Sequence, residues 1–307
     1  MKDQADNLRR AIEKLSQAPV ADQAGKFPDG RNAGPPRVLT ATGGRGGVGA
    51  TSICVNLAAA LGEMNRKTLI IDADAGSTGV EALLGILPEY NPSDAVNNNV
   101  SLRDVVCDSH RGIRFIPCGA GAEEFARMDE SQMISFASGF SELDNEYDAI
   151  IIDTGAGISD SVLGMAAAAD EAIVITTPEP AALTDAYALI KAVTLRERDK
   201  PIRVIVNKAG SEAEADEIMS KLAQAADKFL DLKIRKLGYI LNDPLVVRSA
   251  KLQLPFFINS PYSQASKKIR EIALSLTDGT GFARFDKDPG LSGFFDRVAK
   301  FNNFQTK

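Results

Sequence analysis

The chain has 307 residues, of which 44% are hydrophobic and 25% charged, with a formal net charge of −6. This composition is typical of a globular protein with its own core, and the acidic balance argues against direct nucleic-acid binding. The three cysteines form no Cys-x-x-Cys pair, which argues against a zinc or iron–sulfur site. No apolar run reaches the roughly 18 residues that a membrane-spanning helix needs, so we expect a cytoplasmic protein.

The first 36 residues predict a short helix tethered by a linker. Within 1–18, apolar residues recur at helical spacing opposite charged side chains. Residues 19–36 are rich in proline and glycine, which is typical of a flexible linker. We therefore expect a helix that binds a partner rather than one built into the core. A disordered tail is the alternative.

From Arg37 the chain alternates buried strands with helices. Apolar runs typical of strands buried on both faces lie at 37–42, 67–72, 113–117, 149–153, 172–177, 202–207 and 236–240. Helical patterns lie between or after them at 51–64, 160–169, 181–195, 213–230 and 262–276. The alternation predicts an α/β fold over 37–276: a doubly wound, mainly parallel sheet with helices on both faces. Its ligand is expected at the carboxyl ends of the strands.

The end of the chain predicts another helix outside this core. Residues 277–290 are polar and glycine-rich, as linkers are, and 291–304 form an amphipathic pattern. The apolar positions of that pattern are Leu291, Phe294, Phe295, Val298 and Phe301. We assign this face to membrane binding, with docking into a groove of the core as the alternative. Both can hold in different nucleotide states.

A glycine-rich loop lies between the first predicted strand and the first helix of the core. Glycines let a backbone curl tightly and point several N–H groups at one anion, and a strand, such a loop and a helix N-terminus together bind nucleotide phosphates. The candidate nucleotide-binding residues are Gly44, Arg45, Gly46, Gly47, Val48, Gly49, Ala50, Thr51 and Ser52. Ala50 occupies the position of the usual phosphate-binding lysine, whereas Thr51 keeps the hydroxyl that binds magnesium.

Two later strands end in aspartates that suit a metal ion. Asp72 closes the strand at 67–72, and Asp153 closes the strand at 149–153. We assign both carboxylates to Mg²⁺ together with Thr51. An aspartate at a strand end is also a common helix cap. Acids in this order through one sheet favour the nucleotide site.

Three further residues complete the predicted site. Asp74 follows Asp72 closely, and we assign it to catalysis through the attacking water. Gly157 follows Asp153, and its N–H is positioned to sense the γ-phosphate. Asn207 ends the strand at 202–207, where its amide can read an adenine edge.

These motifs resemble the MinD/ParA branch of P-loop ATPases, whose loop reads Lys-Gly-Gly-x-Gly-Lys-Ser/Thr. The matching residues here run from Arg45 to Thr51. The resemblance implies ATP and Mg²⁺ as ligands and a face-to-face dimer formed on ATP binding. It also implies that the first lysine position, here Arg45, reaches across to the partner's phosphates as a catalytic residue.

Three segments narrow the resemblance to the flagellar-number regulators known as FlhG, FleN or YlxH. They are the N-terminal Asp-Gln-Ala-x-x-Leu-Arg motif, 177–191 and 243–256. This group implies that Asp3, Gln4, Leu8 and Arg9 form a helix that stimulates a signal-recognition-type GTPase, FlhF. It further implies a C-terminal helix at the inner face of the cell membrane, and contacts with flagellar switch or basal-body components and with a transcriptional regulator.

Arg45 and Ala50 depart from the family pattern. Arginine keeps the charge of the first lysine with a different reach, whereas Ala50 removes a charged hydrogen bond worth roughly 1.5–3 kcal/mol. We expect weak or dimer-dependent ATP binding and slow or absent hydrolysis, because charge develops on the γ-phosphate during the reaction. The alternatives are a nucleotide-dead scaffold of the same pathway and a ParA-like partitioning ATPase. The acidic charge and the terminal helix argue against the latter.

Overall fold

The fold is centred on one sheet. A computed structural model describes residues 35–74, 79–96, 100–109, 112–117, 140, 143–277 and 290–303. Its strands are β1 (Arg37–Gly43), β2 (Thr68–Asp72), β3 (Cys107–Asp108), β4 (Arg114–Ile116), β5 (Ala149–Ala156), β6 (Glu171–Thr176), β7 (Ile202–Ala209) and β8 (Arg235–Leu241). They lie in the order β3-β4-β2-β5-β1-β6-β7-β8, and every neighbouring pair is parallel except β3 with β4. The predicted α/β class and mainly parallel sheet are confirmed.

The helices are placed along the chain much as the periodicity predicts. They are α1 (Ala50–Glu63), α2 (Gly79–Leu84), α3 (Pro92–Val96), α4 (Leu102–Val105), α5 (Asp160–Ala168), α6 (Pro180–Arg196), α7 (Glu212–Leu230), α8 (Pro244–Lys251), α9 (Phe256–Asn259), α10 (Gln264–Thr277) and α11 (Gly290–Asn303). The long helices α1, α5, α6, α7 and α10 match the predicted segments closely. The short helices α2, α3, α4, α8 and α9 were not predicted, because they carry too few turns for a periodic signal.

Alternate side chains of each central strand pack against helices on opposite faces of the sheet. Leu39, Ile70 and Ile151 lie in one core cluster with α1 and α10. Val38 and Ile150 point the other way, into a cluster with α5 and α11. This burial on both faces explains why the strands read as continuous apolar runs rather than alternating ones.

Helix α11 is docked into the core. Leu291, Phe294, Phe295 and Val298 are each at most 3% exposed, and Phe301 packs partly buried against the same cluster. These are the residues assigned from the sequence to membrane binding. The structure therefore shows the docking alternative, and membrane binding by this face requires that α11 leave its groove.

Specific polar contacts hold α11 at its start and at its middle. The Leu291 N–H donates to Oδ1 of Asp144 at 2.7 Å. Arg297 donates from Nε to the Ala168 carbonyl at the end of α5 at 2.7 Å, and its Nη2 lies 3.5 Å from Oδ1 of Asp170. These bonds fix both the position and the rotation of the helix against α5.

Several predicted segments lie outside the described residues. They include the helix at 1–18 with Asp3, Gln4, Leu8 and Arg9, and nearly all of both linkers. Among the helices that are described, none combines the length and the apolar character needed to cross a bilayer.

Candidate functional site

The loop after β1 has the tight backbone that its glycines predict. Gly47 and Gly49 adopt left-handed φ values of 80° and 92°, which side-chain-bearing residues rarely take. A Cβ on Gly44 would lie 2.4 Å from the carbonyl oxygen of Asp185 in α6, so only glycine fits there. The loop is thus held between its own strand and a neighbouring helix.

The N-terminus of α1 faces this loop without a side-chain cap. Gly49 is the N-cap residue and offers no side chain to accept the first helical N–H groups. Ala50, Thr51 and Ser52 form the first turn. Uncapped N–H groups and the positive end of the helix dipole make this position suited to an anion such as phosphate.

Two predicted acids and the threonine meet beside this helix start. Asp72 of β2 and Asp153 of β5 are register partners on adjacent strands. Thr51 and Asp72 both lie next to Gly79. A Cβ on Gly79 would be 3.3 Å from Oδ2 of Asp72 and 3.3 Å from Oγ1 of Thr51. The structure therefore brings together the three residues that the sequence assigned to magnesium.

The acids occupy unequal electrostatic positions. Oδ2 of Asp72 accepts the Val80 N–H at 3.0 Å, and burial raises the pKa of this carboxyl to about 6. Both carboxylate oxygens of Asp153 are buried, and neither makes a hydrogen bond of ordinary geometry to the described residues. The pKa of Asp153 is raised to about 7, mainly by burial and in smaller part by Asp72 and Asp74, against the lowering effects of the Thr51 hydroxyl and the Gly155 backbone. A cation placed here would favour the ionised form of both groups.

This chemistry fits Mg²⁺ bound together with a nucleotide. The described residues contain no group of three His, Cys, Asp or Glu side chains that could hold a metal ion by themselves. Mg²⁺ commonly takes one or two carboxylates and completes its shell with water and phosphate oxygens. Asp72, Asp153 and the Thr51 hydroxyl match that partial set.

Asp74 and Gly157 lie at the site, but in contacts that the sequence did not indicate. Asp74 packs against Gly155, where a Cβ would come within 2.7 Å of its carboxylate. The Gly157 N–H, expected to sense the γ-phosphate, donates instead to the Gly43 carbonyl at 2.8 Å. Sensing by this amide therefore requires that the bond to the loop be exchanged for one to phosphate.

Arg45 lies on the outer side of the loop and is partly exposed. Its guanidinium is 4.0 Å from Oε2 of Glu179 and 3.9 Å from Oδ2 of Asp185, near the start of α6. Exposed pairs at such distances contribute little stability. Arg45 is accordingly available to a second molecule at low cost.

Asn207 makes a contact with the loop that the sequence did not indicate. Its Nδ2 donates to the Val48 carbonyl at 2.7 Å, so the side chain braces the phosphate loop in this structure. The neighbouring Lys208 was not assigned any role from the sequence. Its Nζ donates to the Gly47 carbonyl at 2.7 Å. The sequence signal that could have identified Lys208 is a lysine directly after the predicted site residue Asn207, in a chain whose loop lacks its own lysine.

Comparisons with known proteins identify the family of the chain. A model of the CobQ/CobB/MinD/ParA nucleotide-binding domain matches residues 39–256. Antiactivator FleN of Pseudomonas aeruginosa is 34% identical over 239 residues, which cover 78% of this chain and 85% of FleN. The flagellum site-determining protein YlxH of Helicobacter pylori is 29% identical over 283 residues, covering 88% of this chain and 92% of YlxH.

Solved structures share the fold. The septum site-determining protein MinD from Pyrococcus horikoshii, complexed with Mg-ADP, matches with a TM-score of 0.61 at 25% identity, covering 79% of this chain and 96% of that one. A chain of the MinC:MinD cell division protein complex of Aquifex aeolicus matches with a TM-score of 0.63 at 24% identity, covering 83% of this chain and 99% of that one. The resemblance to MinD/ParA proteins and to FleN and YlxH is confirmed, and the chain belongs to the CobQ/CobB/MinD/ParA family of nucleotide-binding domains.

Proposed function

We propose that this chain is a nucleotide-switched regulator of flagellar number or placement. In the proposed cycle it binds ATP with Mg²⁺, forms a face-to-face dimer, and binds the inner face of the cell membrane peripherally through α11. The observation that carries the proposal is the buried Asp153 carboxylate without an ordinary hydrogen bond, beside Thr51 and the uncapped start of α1. The similarity to the flagellum site-determining protein YlxH supplies the flagellar context.

The ligand follows from the charges at this site. Backbone N–H groups of the loop and of the first turn of α1 receive the phosphates, while Asp72, Asp153 and Thr51 hold the magnesium ion. Mg²⁺ supplies the positive charge that stabilises the phosphates there. Asp74 orients the attacking water, and Asn207 contacts the base edge with the second N–H of its amide while the first stays on the Val48 carbonyl. Because Ala50 leaves the loop without its lysine, we expect binding to persist better than hydrolysis.

Dimerisation gives Arg45 its function. Its two acidic neighbours hold it only weakly in the monomer, so exchange for a partner's phosphates costs little. A guanidinium binds phosphate oxygens through two parallel hydrogen bonds. A dimer bridged in this way depends on the γ-phosphate, since the nucleotide supplies the partner for the charge.

The route from nucleotide to membrane runs through α5. This helix begins three residues after Gly157, whose N–H is bonded to the base of the loop. Its far end holds Arg297 of α11 through the Ala168 carbonyl. Exchange of the Gly157 bond for a phosphate bond would move α5 and loosen α11. One amphipathic helix anchors marginally, so a dimer with two copies binds membrane far more strongly.

The N-terminal helix is the proposed contact to FlhF, with Asp3, Gln4, Leu8 and Arg9 as its binding residues. The motif match to flagellar-number regulators supports this assignment. Flagellar switch or basal-body components and a transcriptional regulator are further proposed partners, and the name antiactivator FleN supports the last of these. Replacing Gln4 and Leu8 by Ala should remove stimulation of the GTPase, and persistent stimulation would contradict the assignment.

The direct experiment measures molar mass and vesicle binding of the full chain with Mg·ATP, with Mg·ADP and without nucleotide. We expect the dimer and the vesicle-bound fraction to increase together with Mg·ATP alone. A chain lacking residues 291–307 should still dimerise but lose vesicle binding. Equal mass and equal vesicle binding in all three conditions would contradict the switch and would support a nucleotide-dead scaffold.

A further inference from the structure

Two consecutive residues at the end of β7 bind two consecutive carbonyls of the phosphate loop. Asn207 Nδ2 donates to the Val48 carbonyl, and Lys208 Nζ donates to the Gly47 carbonyl, both at 2.7 Å. The partners are separated by about 160 residues in sequence, so this contact is built by the fold and not by local chain geometry. It ties β7 directly to the nucleotide loop.

The backbone of β7 is shaped to make this contact. Lys208 has a left-handed φ of 56°, an uncommon conformation for a residue with a side chain. The register of β7 with β8 is irregular between Val206 and Ala209, which re-aims the side chains within that interval. The Lys208 N–H bonds Oδ1 of Asn207 at 2.9 Å, which turns Nδ2 of that amide toward the loop. Such strain persists where surrounding contacts determine it.

The ammonium of Lys208 acts on the loop as a charge. The ion pairs among the described residues do not include Lys208, so none of them neutralises it. Its carbonyl partner belongs to the peptide group whose N–H is that of Val48. The Asn207 partner belongs to the next peptide group, whose N–H is that of Gly49. A carbonyl that accepts a hydrogen bond makes the N–H of the same peptide a stronger donor.

We propose that Lys208 replaces the missing loop lysine as the cation of the phosphate site. It acts as a positioning residue: with Asn207 it fixes and polarises the Val48 and Gly49 amides that receive the nucleotide's phosphates. The proposal rests on the proposed function, because it concerns ATP binding at the same loop. On this proposal a chain with Ala50 keeps a cation that supports polyphosphate binding.

The test is a double-mutant cycle on Mg·ATP affinity in the full chain. Lys208→Met keeps the aliphatic stem and removes the charge, and should weaken binding roughly tenfold to a hundredfold. Lys208→Arg should retain most of the affinity. In the Ala50→Lys background, where the loop has its own lysine, Lys208→Met should cost less than about threefold. The matched control is Lys221→Met, an exposed lysine on α7 whose partner is Glu217, and it should bind as the native chain does.

A purely structural role for Lys208 gives a different pattern. Lys208→Met would then weaken binding equally in both backgrounds, or leave the native affinity unchanged, and either result overturns the proposal. Lys208→Gly guards against misfolding, because glycine adopts φ of 56° without cost while also removing the charge. Its affinity should match that of Lys208→Met, and native-like binding by this variant would also overturn the proposal.

The double-mutant cycle tests the role of Lys208, and the molar-mass measurement tests the proposed function, so the two hypotheses can be contradicted separately. A native chain whose ATP affinity depends on Lys208 but which never dimerises contradicts the proposed function and keeps this inference. A chain that dimerises on Mg·ATP with Lys208→Met at native affinity contradicts this inference alone. Absence of any ATP binding by the native chain contradicts both.

Discussion

Two buried carboxylates lie toward opposite ends of the central strands, and they differ in their charged partners. Glu171, at the start of β6, is 1% exposed and is held by the guanidinium groups of Arg37 and Arg203. Asp153, inside β5 toward the carboxyl ends, is 0% exposed and makes no ordinary hydrogen bond among the described residues. Burial is equal, and only the partners differ.

Under the proposed function, this difference separates a structural charge, Glu171, from one that serves a ligand, Asp153. A buried charge is retained at low cost only when it is paired and hydrogen-bonded. The chain supplies that pairing itself for Glu171. For Asp153 no cationic side chain among the described residues does so, and under the proposed function a bound ligand would, at the end of the sheet where α/β proteins bind ligands.

The largest expected effect comes from breaking the ion pairs of Glu171. Glu171→Gln leaves two guanidinium groups facing a neutral amide, one of them almost fully buried. We expect a loss of about 3–5 kcal/mol in the free energy of unfolding, as for other broken buried ion pairs. Urea denaturation measures it, with Glu217→Gln, an exposed helix pair, as the control. A loss below about 1 kcal/mol would show that Glu171 is not a structural charge.

The next expected effect comes from adding a cation to the phosphate loop, at the end of the sheet where Asp153 lies. Ala50→Lys restores the loop's own charged donor, which is worth roughly 1.5–3 kcal/mol. We expect Mg·ATP affinity to rise roughly tenfold to a hundredfold, and turnover to rise more because the γ-phosphate gains charge in the transition state. Equilibrium binding and phosphate release measure the two quantities. Native turnover equal to that of the variant would contradict the hypothesis of impaired hydrolysis.

Removing the unpaired charge should stabilise the apo protein. The pKa of Asp153 is raised from its ordinary range to about 7, so the folded chain holds a proton that the unfolded chain releases. Folding stability linked to this proton is present at low pH and is lost as pH rises through about 7. Asp153→Asn does not lose this stability, because the amide of asparagine carries no charge at any of these pH values. It should gain roughly 1–3 kcal/mol at pH 8 with Mg²⁺ chelated.

The gain from Asp153→Asn should shrink as the pH is lowered from 8 and be smallest below about 3.8, where the carboxyl is mostly protonated in both the folded and the unfolded state. Denaturation at several pH values measures the trend. A destabilised variant at pH 8, or a gain that does not depend on pH, would mean that the Asp153 charge is compensated within the folded chain.

The smallest expected effect concerns the docking of α11. Arg297→Met removes the bonds to Ala168 and Asp170 while keeping much of the aliphatic stem. Loss of about 0.5–1.5 kcal/mol of docking energy should raise nucleotide-free vesicle binding roughly twofold to tenfold. Asp296→Asn, on the exposed side of the helix, is the control. Vesicle binding unchanged by Arg297→Met would mean that release of α11 does not limit membrane binding.

The sequence predicted the sheet better than the exact ends of its strands. Apolar runs record burial on both faces, which is why β1, β2 and β6 were located closely. They do not record where hydrogen bonding stops, so β5 continues past Asp153 to Ala156, and β7 continues past Asn207 to Ala209. The two-residue β3 has no apolar pattern of its own. It exists because Cys107 and Asp108 pair with β4.

The sequence indicated which residues lie near the loop, but it indicated only some of the contacts that they make. Asp72, Asp153 and Thr51 meet because the carboxyl ends of parallel strands share one edge of a sheet. The Asn207 amide faces the loop because of the left-handed backbone at Lys208, which no composition rule indicates. The position of α11 was equally open, since an amphipathic face fits a groove and a membrane alike.

The most direct test of the central claim compares ATP affinity with and without Mg²⁺ in the native chain and in Asp153→Asn. If the unpaired carboxylate exists for a metal-bound nucleotide, Mg²⁺ should tighten native binding at least roughly tenfold and leave the variant nearly unchanged. A native affinity that does not respond to Mg²⁺, or an equal response in the variant, would contradict the account.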